Sequence, residues 1–160
     1  MSQHHRDKGG THKGATHVRT QTFYGVNPIF RVADLAISIP YYTEKLGFKI
    51  NWQTPYLVSV TRGRTDLFLS VGDQGHPGAW VWIGVSNVEA LHAEYQARGA
   101  KIRHPPSNYP WALEMQVEDP DGNILRLGSD SKPGQPTGPW LDMYGHTWIQ
   151  DAQGNPIRQP

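Results

Sequence analysis

Residues 79–102 read AWVWIGVSNVEALHAEYQARGAKI, a strand pattern that runs into a polar helix pattern and stops at a glycine. Side chains alternate across a strand. The face that packs on the following helix therefore takes Val81, Ile83 and Val85, and the other face takes Trp80, Trp82 and Gly84. Two indoles look away from the helix. They either fill a second core or line a cavity.

The same arrangement is written once before. The stretch FYGVNPIFRV predicts a strand with Pro28, Phe30 and Val32 on one face and Asn27, Ile29 and Arg31 on the other. Asp34 follows at a helix N-cap, where its carboxylate can accept first-turn N–H groups. The helix LAISIPYYTEKLG ends at Gly47, and Pro40 inside it predicts a kink or a shortened first turn. Val32-Ala33-Asp34 aligns with Val85-Ser86-Asn87, and Gly47-Phe48-Lys49-Ile50 with Gly99-Ala100-Lys101-Ile102, at nearly the same offset. Three strands follow each helix. The first set is GFKINW, YLVSVTR and TDLFLSV, the last two joined by a tight Gly63-Arg64 turn. The second is a short KIRH, then ALEMQVE and ILRLG, with PPSNYP as a loop and DPDGN as a turn.

The reading is an α+β fold of two tandem βαβββ modules, residues 24–72 and 79–129, within a domain spanning 23–129. Each module covers one sheet face with its own helix and must bury or use the other, so the joined modules make curved sheets around a cleft. Residues 1–22 are polar and aperiodic and predict a flexible arm, and residues 130–160 form a tail.

Composition narrows the function. A net charge of +1 on 160 residues gives no general attraction to nucleic acid or to an anionic membrane. No cysteine is present, which removes thiolate nucleophiles, thiolate metal sites and disulfides together, and a reducing cytoplasm is the default location. No apolar run approaches the length of a membrane span.

The segments VADLAISIPYYTEKLGFK, TDLFLSV, AWVWIGVSNVEALHAEY and YPWALEMQVEDPDGNILRLG, in this order, resemble the vicinal oxygen chelate superfamily. That family includes glyoxalase I, extradiol dioxygenases, fosfomycin-modifying enzymes and bleomycin-binding resistance proteins, and the last branch is the most similar. The resemblance implies a homodimer with ligand clefts between βαβββ modules. In metal-binding members His, Gln or Glu on cleft-facing strands hold a divalent cation. Carried over, those positions are Asn27, Trp80 and Arg126. An amide is a poor sole ligand, an indole offers no lone pair, and a guanidinium repels a cation. The resemblance therefore implies a cleft converted from a metal cup to an aromatic one, with no metal and no cofactor.

Candidate ligand-binding residues are Trp52, Trp80, Trp82, Tyr109, Trp111, Glu114, Gln116, Arg126 and Asn27. The tryptophans make a stacking surface for a flat ligand, or else fill a dimer-facing core. The resemblance supports Trp111 most, since its PW motif is similar to one that contributes to the drug groove. Glu114 and Gln116 share the non-helix face, and Arg126 on the neighbouring strand can reach Glu114. Either these residues form a polar floor, or Glu114 and Arg126 satisfy each other. A carboxylate held by arginine makes a poor base. The expected function is binding and sequestration, without turnover, of a small aromatic or glycopeptide-like molecule, as in bleomycin-type resistance. Bleomycin-type ligands are cationic, whereas Arg31 and Arg126 are expected to face the cleft, which leaves room for an anionic or neutral ligand. The alternative is a lyase or isomerase on the same scaffold with Glu114 as base. A third reading is an interaction module whose cleft the tail fills.

The histidines give no site: His4, His5, His12 and His17 fall in the arm, His92 on a helix, and His76 and His104 in or beside loops. Asp119, Asp121 and Asn123 lack the twelve-residue calcium pattern and read as a hairpin turn. The tail segment WLDMYGHTW is too apolar for water and is expected to dock on its own or a partner subunit, lidding the cleft or packing outside it.

Overall fold

The computed structural model describes residues 25–142 and 144–160, so the expected arm and its four histidines lie outside the described residues. Each module runs strand, helix, three strands. The first comprises β1 (Ile29–Arg31), α1 (Leu35–Pro40) with a following π-turn (Tyr41–Lys45), β2 (Lys49–Gln53), β3 (Leu57–Arg62) and β4 (Thr65–Ser70). The second comprises β5 (Trp80–Gly84), α2 (Val88–Arg98), β6 (Ile102–Asn108), β7 (Leu113–Glu118) and β8 (Ile124–Ser129). The sheets have the equivalent orders β1-β4-β3-β2 and β5-β8-β7-β6, each with one parallel pair. This is the duplicated α+β architecture expected from the sequence.

Both helix starts are capped by the anticipated residues. Asp34 Oδ1 accepts from Ala36 N at 2.8 Å, and Asn87 Oδ1 accepts from Ala90 N at 2.9 Å. Gly99 closes α2 at φ +69°, a left-handed conformation that costs a side-chain-bearing residue energy.

Three local expectations are corrected. The first strand is only Ile29–Arg31, and residues 25–28 before it are irregular. Pro40 does not shorten the first turn, and α1 ends on it. Its own dihedrals stay helical, and the pitch widens after it, with Leu46 N donating to Tyr41 O. The segment read as KIRH plus a loop is one strand, β6, through Pro105 and Pro106. It is a sheet edge, where missing N–H groups cost no ladder bond, and its register shifts between His104 and Ser107 absorb the irregularity.

The helix-bearing faces of both sheets form one core. Phe30, Val58, Val60, Leu67 and Leu69 of the first sheet and Met115, Val117, Leu125 and Leu127 of the second belong to a single buried cluster with Tyr42 and Tyr95. The β7–β8 turn fastens the modules. Buried Asp119 accepts from the Tyr42 hydroxyl at 2.9 Å and from Asn123 N at 2.8 Å, while Asp121 accepts from Ala33 N at 2.8 Å.

The tail folds into a small antiparallel sheet, β9 (Trp140–Leu141), β10 (Thr147–Gln150) and β11 (Pro156–Arg158). It is tied to the end of β6: Asn108 Oδ1 accepts from Lys132 N at 2.8 Å, and Gly138 N donates to Asn108 O at 2.8 Å. Among the described residues no helix is long and apolar enough to cross a membrane.

Candidate functional site

Because the helix-bearing faces are buried together, the opposite faces point away from the core. On the second sheet that face carries Trp80 and Trp82 from β5, Arg126 from β8, and Glu114 and Gln116 from β7. Trp82 pairs with Arg126, and Arg126 with Gln116, across adjacent strands, so all three lie in one row.

Glu114 is the centre of this face and is only 3% exposed. Its Oε1 accepts from Trp82 Nε1 at 2.8 Å and from Trp111 Nε1 at 3.1 Å. Its Oε2 is held by Arg126 Nη2. A buried carboxylate is tolerated only when paired and hydrogen-bonded, and here one guanidinium and two indoles do both. Arg126 Nε is buried without an acceptor.

Aromatic rings continue the wall. Tyr109 and Trp111 are stacked, with centroids 5.2 Å apart and planes within 3°. Trp140 of the tail meets Trp111 edge-on at 5.5 Å. From the far edge of the sheet the Arg103 guanidinium reaches over the Trp80 ring, 5.3 Å from its centroid. Three strand spacings of about 4.8 Å separate these edges, and the two long side chains bridge that span across the outer face.

These groups enclose a cavity of about 560 Å³. Its floor is Trp80, Gln116 and Arg126, its sides are Tyr109, Trp111, Arg103 and His104, and its lid is Pro139, Trp140, Leu141 and Thr147 of the tail. A neighbouring hollow of about 400 Å³ takes Trp82, Trp111 and Gly128. A larger one of about 700 Å³ sits between the β3–β4 hairpin and α2, lined by Arg62, Arg64, Glu94 and Tyr95 rather than by the aromatic face.

The structure thus brings together Trp80, Trp82, Tyr109, Trp111, Glu114, Gln116 and Arg126. It does not bring Asn27 or Trp52 to them. Asn27 is exposed before β1, and Trp52 packs on Phe68 on the outer face of the first sheet, with centroids 5.4 Å apart. Arg31, expected to face the cleft, instead lines a separate hollow with Asp121 and Val71. Sequence reading put Arg103 and His104 in the short strand KIRH but did not assign them to the cleft, and it did not specify which tail residues meet the cavity.

The residues aligned with the family's metal positions do not fit a divalent cation. Trp80 and Arg126 share the cavity and offer no lone pair, and Asn27 lies away from it. Among the described residues no group of three or more His, Cys, Asp and Glu is placed to hold a metal ion.

Comparison with known proteins agrees with this architecture. A bleomycin-binding protein from bleomycin-producing Streptomyces verticillus, solved with copper(II)-bleomycin, superposes with a TM-score of 0.61 at 24% identity, covering 71% of this chain and all (100%) of that one. An antibiotic-binding protein from Streptomyces sp. CB03234 gives 0.60 at 25% identity, over 70% of this chain and 100% of that one. A lactoylglutathione lyase from Agrobacterium tumefaciens gives 0.58 at 15% identity, over 72% and 100%. No curated protein matches the sequence. Residues 17–127 match the profile described as Glyoxalase/Bleomycin resistance protein/Dioxygenase superfamily, and with the duplicated βαβββ fold this shows that the chain belongs to that superfamily.

Proposed function

We propose that this protein binds and sequesters a small aromatic molecule of the antibiotic class, without turnover, in the tail-lidded cavity over its second sheet. The observation that carries the reading is the state of Glu114. Both of its oxygens are taken by donors, two indoles and a guanidinium, so the carboxylate organises an aromatic wall rather than accepting a substrate proton. Exposed Trp111, backed by the buried Tyr109 ring stacked on it, and exposed Trp80 offer flat apolar area at low entropic cost. The antibiotic-binding and bleomycin-binding neighbours support the ligand class.

The superfamily also contains lyases, as the Agrobacterium neighbour illustrates, and a lyase or isomerase would use Glu114 as base. That chemistry requires Arg126 and both indoles to release it. The reading retains a cytoplasmic homodimer. The outer face of the first sheet, with exposed Ile29 and Trp52 beside Phe68, is an apolar surface that a second copy would cover.

The test is intrinsic tryptophan fluorescence of metal-stripped protein, titrated separately with bleomycin, the neutral planar probe 1-pyrenemethanol, zinc and manganese. Saturable quenching by an organic titrant, recovered unmodified, is expected, and Trp111→Ala should weaken that binding several-fold while circular dichroism stays unchanged. Stoichiometric metal binding, or conversion of the bound molecule, would overturn the reading.

A further inference from the structure

We infer that the cavity over the second sheet selects a planar aromatic anion and discriminates against planar cations. The inference rests on the binding reading above and adds the charge of the ligand to it.

The first argument is the lining. Arg103, Arg126 and His104 border the cavity, and among the described residues no aspartate or glutamate does. Arg126 is already balanced by Glu114, so that pair contributes little net charge. Arg103 is not balanced in the same way. Its only acidic neighbour among the described residues, Glu118, lies 3.7 Å away and is held more closely by Lys101 at 2.7 Å. One carboxylate thus serves two cations, and the cluster of Lys101, Arg103 and Glu118 leaves one positive charge at the cavity's side. In the tail, Asp142 follows Leu141 of the lid, yet its oxygens are turned to the backbone N–H groups of Tyr144 and His146, the Trp148 indole at 3.0 Å and the His146 ring.

The second argument concerns the aromatic cup itself. The electron-rich face of an indole attracts cations, and a cup of indoles would ordinarily favour a cationic ligand. Here that place is taken: the Arg103 guanidinium sits over Trp80 from the opposite sheet edge. A cationic ligand would have to displace it and then lie beside it. A planar anion would do neither, since it can pack on the exposed Trp111 ring while its charged group meets Arg103. An exposed guanidinium with five N–H donors in a planar fork suits a carboxylate or sulfonate.

The experiment uses three probes of one shape: 1-pyrenecarboxylate, 1-pyrenemethanol and 1-pyrenemethylammonium, titrated into the full chain and followed by tryptophan quenching and pyrene emission. The carboxylate is expected to bind at least ten-fold more tightly than the ammonium, with the alcohol between them. Raising NaCl from about 50 to about 500 mM should shrink that preference, because a partly exposed charge is screened within a few ångströms at high salt. R103Q should lower the carboxylate-to-alcohol affinity ratio about five-fold or more. Equal binding of all three probes, tighter binding of the ammonium, or an unchanged ratio in folded R103Q would overturn the inference. If the alcohol binds without charge preference, only the inference fails. If none of the three binds, the aromatic-cavity reading fails with it.

Discussion

Gly128 lacks a methyl group where an indole lies. A Cβ at this position would sit 2.6 Å from Trp82 Cζ2, and the same ring passes 3.4 Å from the equivalent point on Gly84. Two glycines on neighbouring strands thereby let Trp82 lie flat on the sheet, which brings its Nε1 to Glu114. Gly128 does not have positive φ, so alanine suits its backbone and only the ring objects. Gly128→Ala is expected to lift the indole and break its bond to Glu114, at a cost of about 1–2 kcal/mol in chemical denaturation. In a Trp82→Ala background the same change should cost almost nothing. Equal costs in both backgrounds would rule out the ring as the cause. At this scale sequence reading was uneven for a physical reason. The Glu114–Arg126 contact was legible because strand alternation and a tight turn dictate which side chains face each other. The two indole N–H bonds to the same carboxylate were not, because they depend on rotamers that glycines across the sheet permit.

Between elements, the π-turn after α1 and the middle of α2 hold buried tyrosines in the common core. Burial pushes the Tyr42 phenol well up, with the Asp119 charge adding to it, and pushes Tyr95 up to about 12 against the lowering effect of Arg62. Tyr41 is raised as well, chiefly by burial. A raised phenol is neutral in the folded chain at a pH where the unfolded chain ionises it. Its contribution to stability is therefore complete below the unfolded value of about 10 and is lost as pH climbs through the folded value. The expected outcome is a melting temperature that falls steeply between about pH 10 and pH 12, with phenolate absorbance rising together with loss of circular dichroism. Smooth titration of every tyrosine near pH 10 in the folded state would contradict it. The helices themselves were readable from Asp34, Asn87 and the closing glycines. The widened turn beyond Pro40 was not, because a proline only fixes its own φ and removes one donor, leaving the chain several ways to continue. The extent of β6 was lost similarly: two prolines argue against a strand unless its place at a sheet edge is known.

At the scale of the whole molecule, the duplication was legible because capping residues and closing glycines recur at nearly the same offset, and their stereochemistry is local. Which surfaces meet was not, since it depends on how the modules pack. They share one core through their helix-bearing faces, and this separates the candidate residues into two groups. Trp80, Trp111 and Glu114 are on the second sheet under the tail, while Trp52 is on the first sheet, outside the cavity. Within one chain the first sheet's outer face leaves Ile29 and Trp52 38% and 41% exposed. Water in contact with that much clustered apolar surface is unfavourable, and a closed two-fold pair is the commonest way to remove it. The prediction is a particle of twice 18.0 kDa in sedimentation equilibrium at micromolar concentration. Replacing Ile29, which pairs with outward-facing Phe68, with Glu places a charge on that face, away from the buried core and from the tail-lidded cavity, and should yield a folded monomer. If that monomer still binds 1-pyrenemethanol as the native chain does, the cavity is complete in one subunit. If binding is lost with the dimer, Trp52 or its neighbours from a second copy finish the site. A wild-type monomer would show that the first sheet's apolar face has no partner in its own kind.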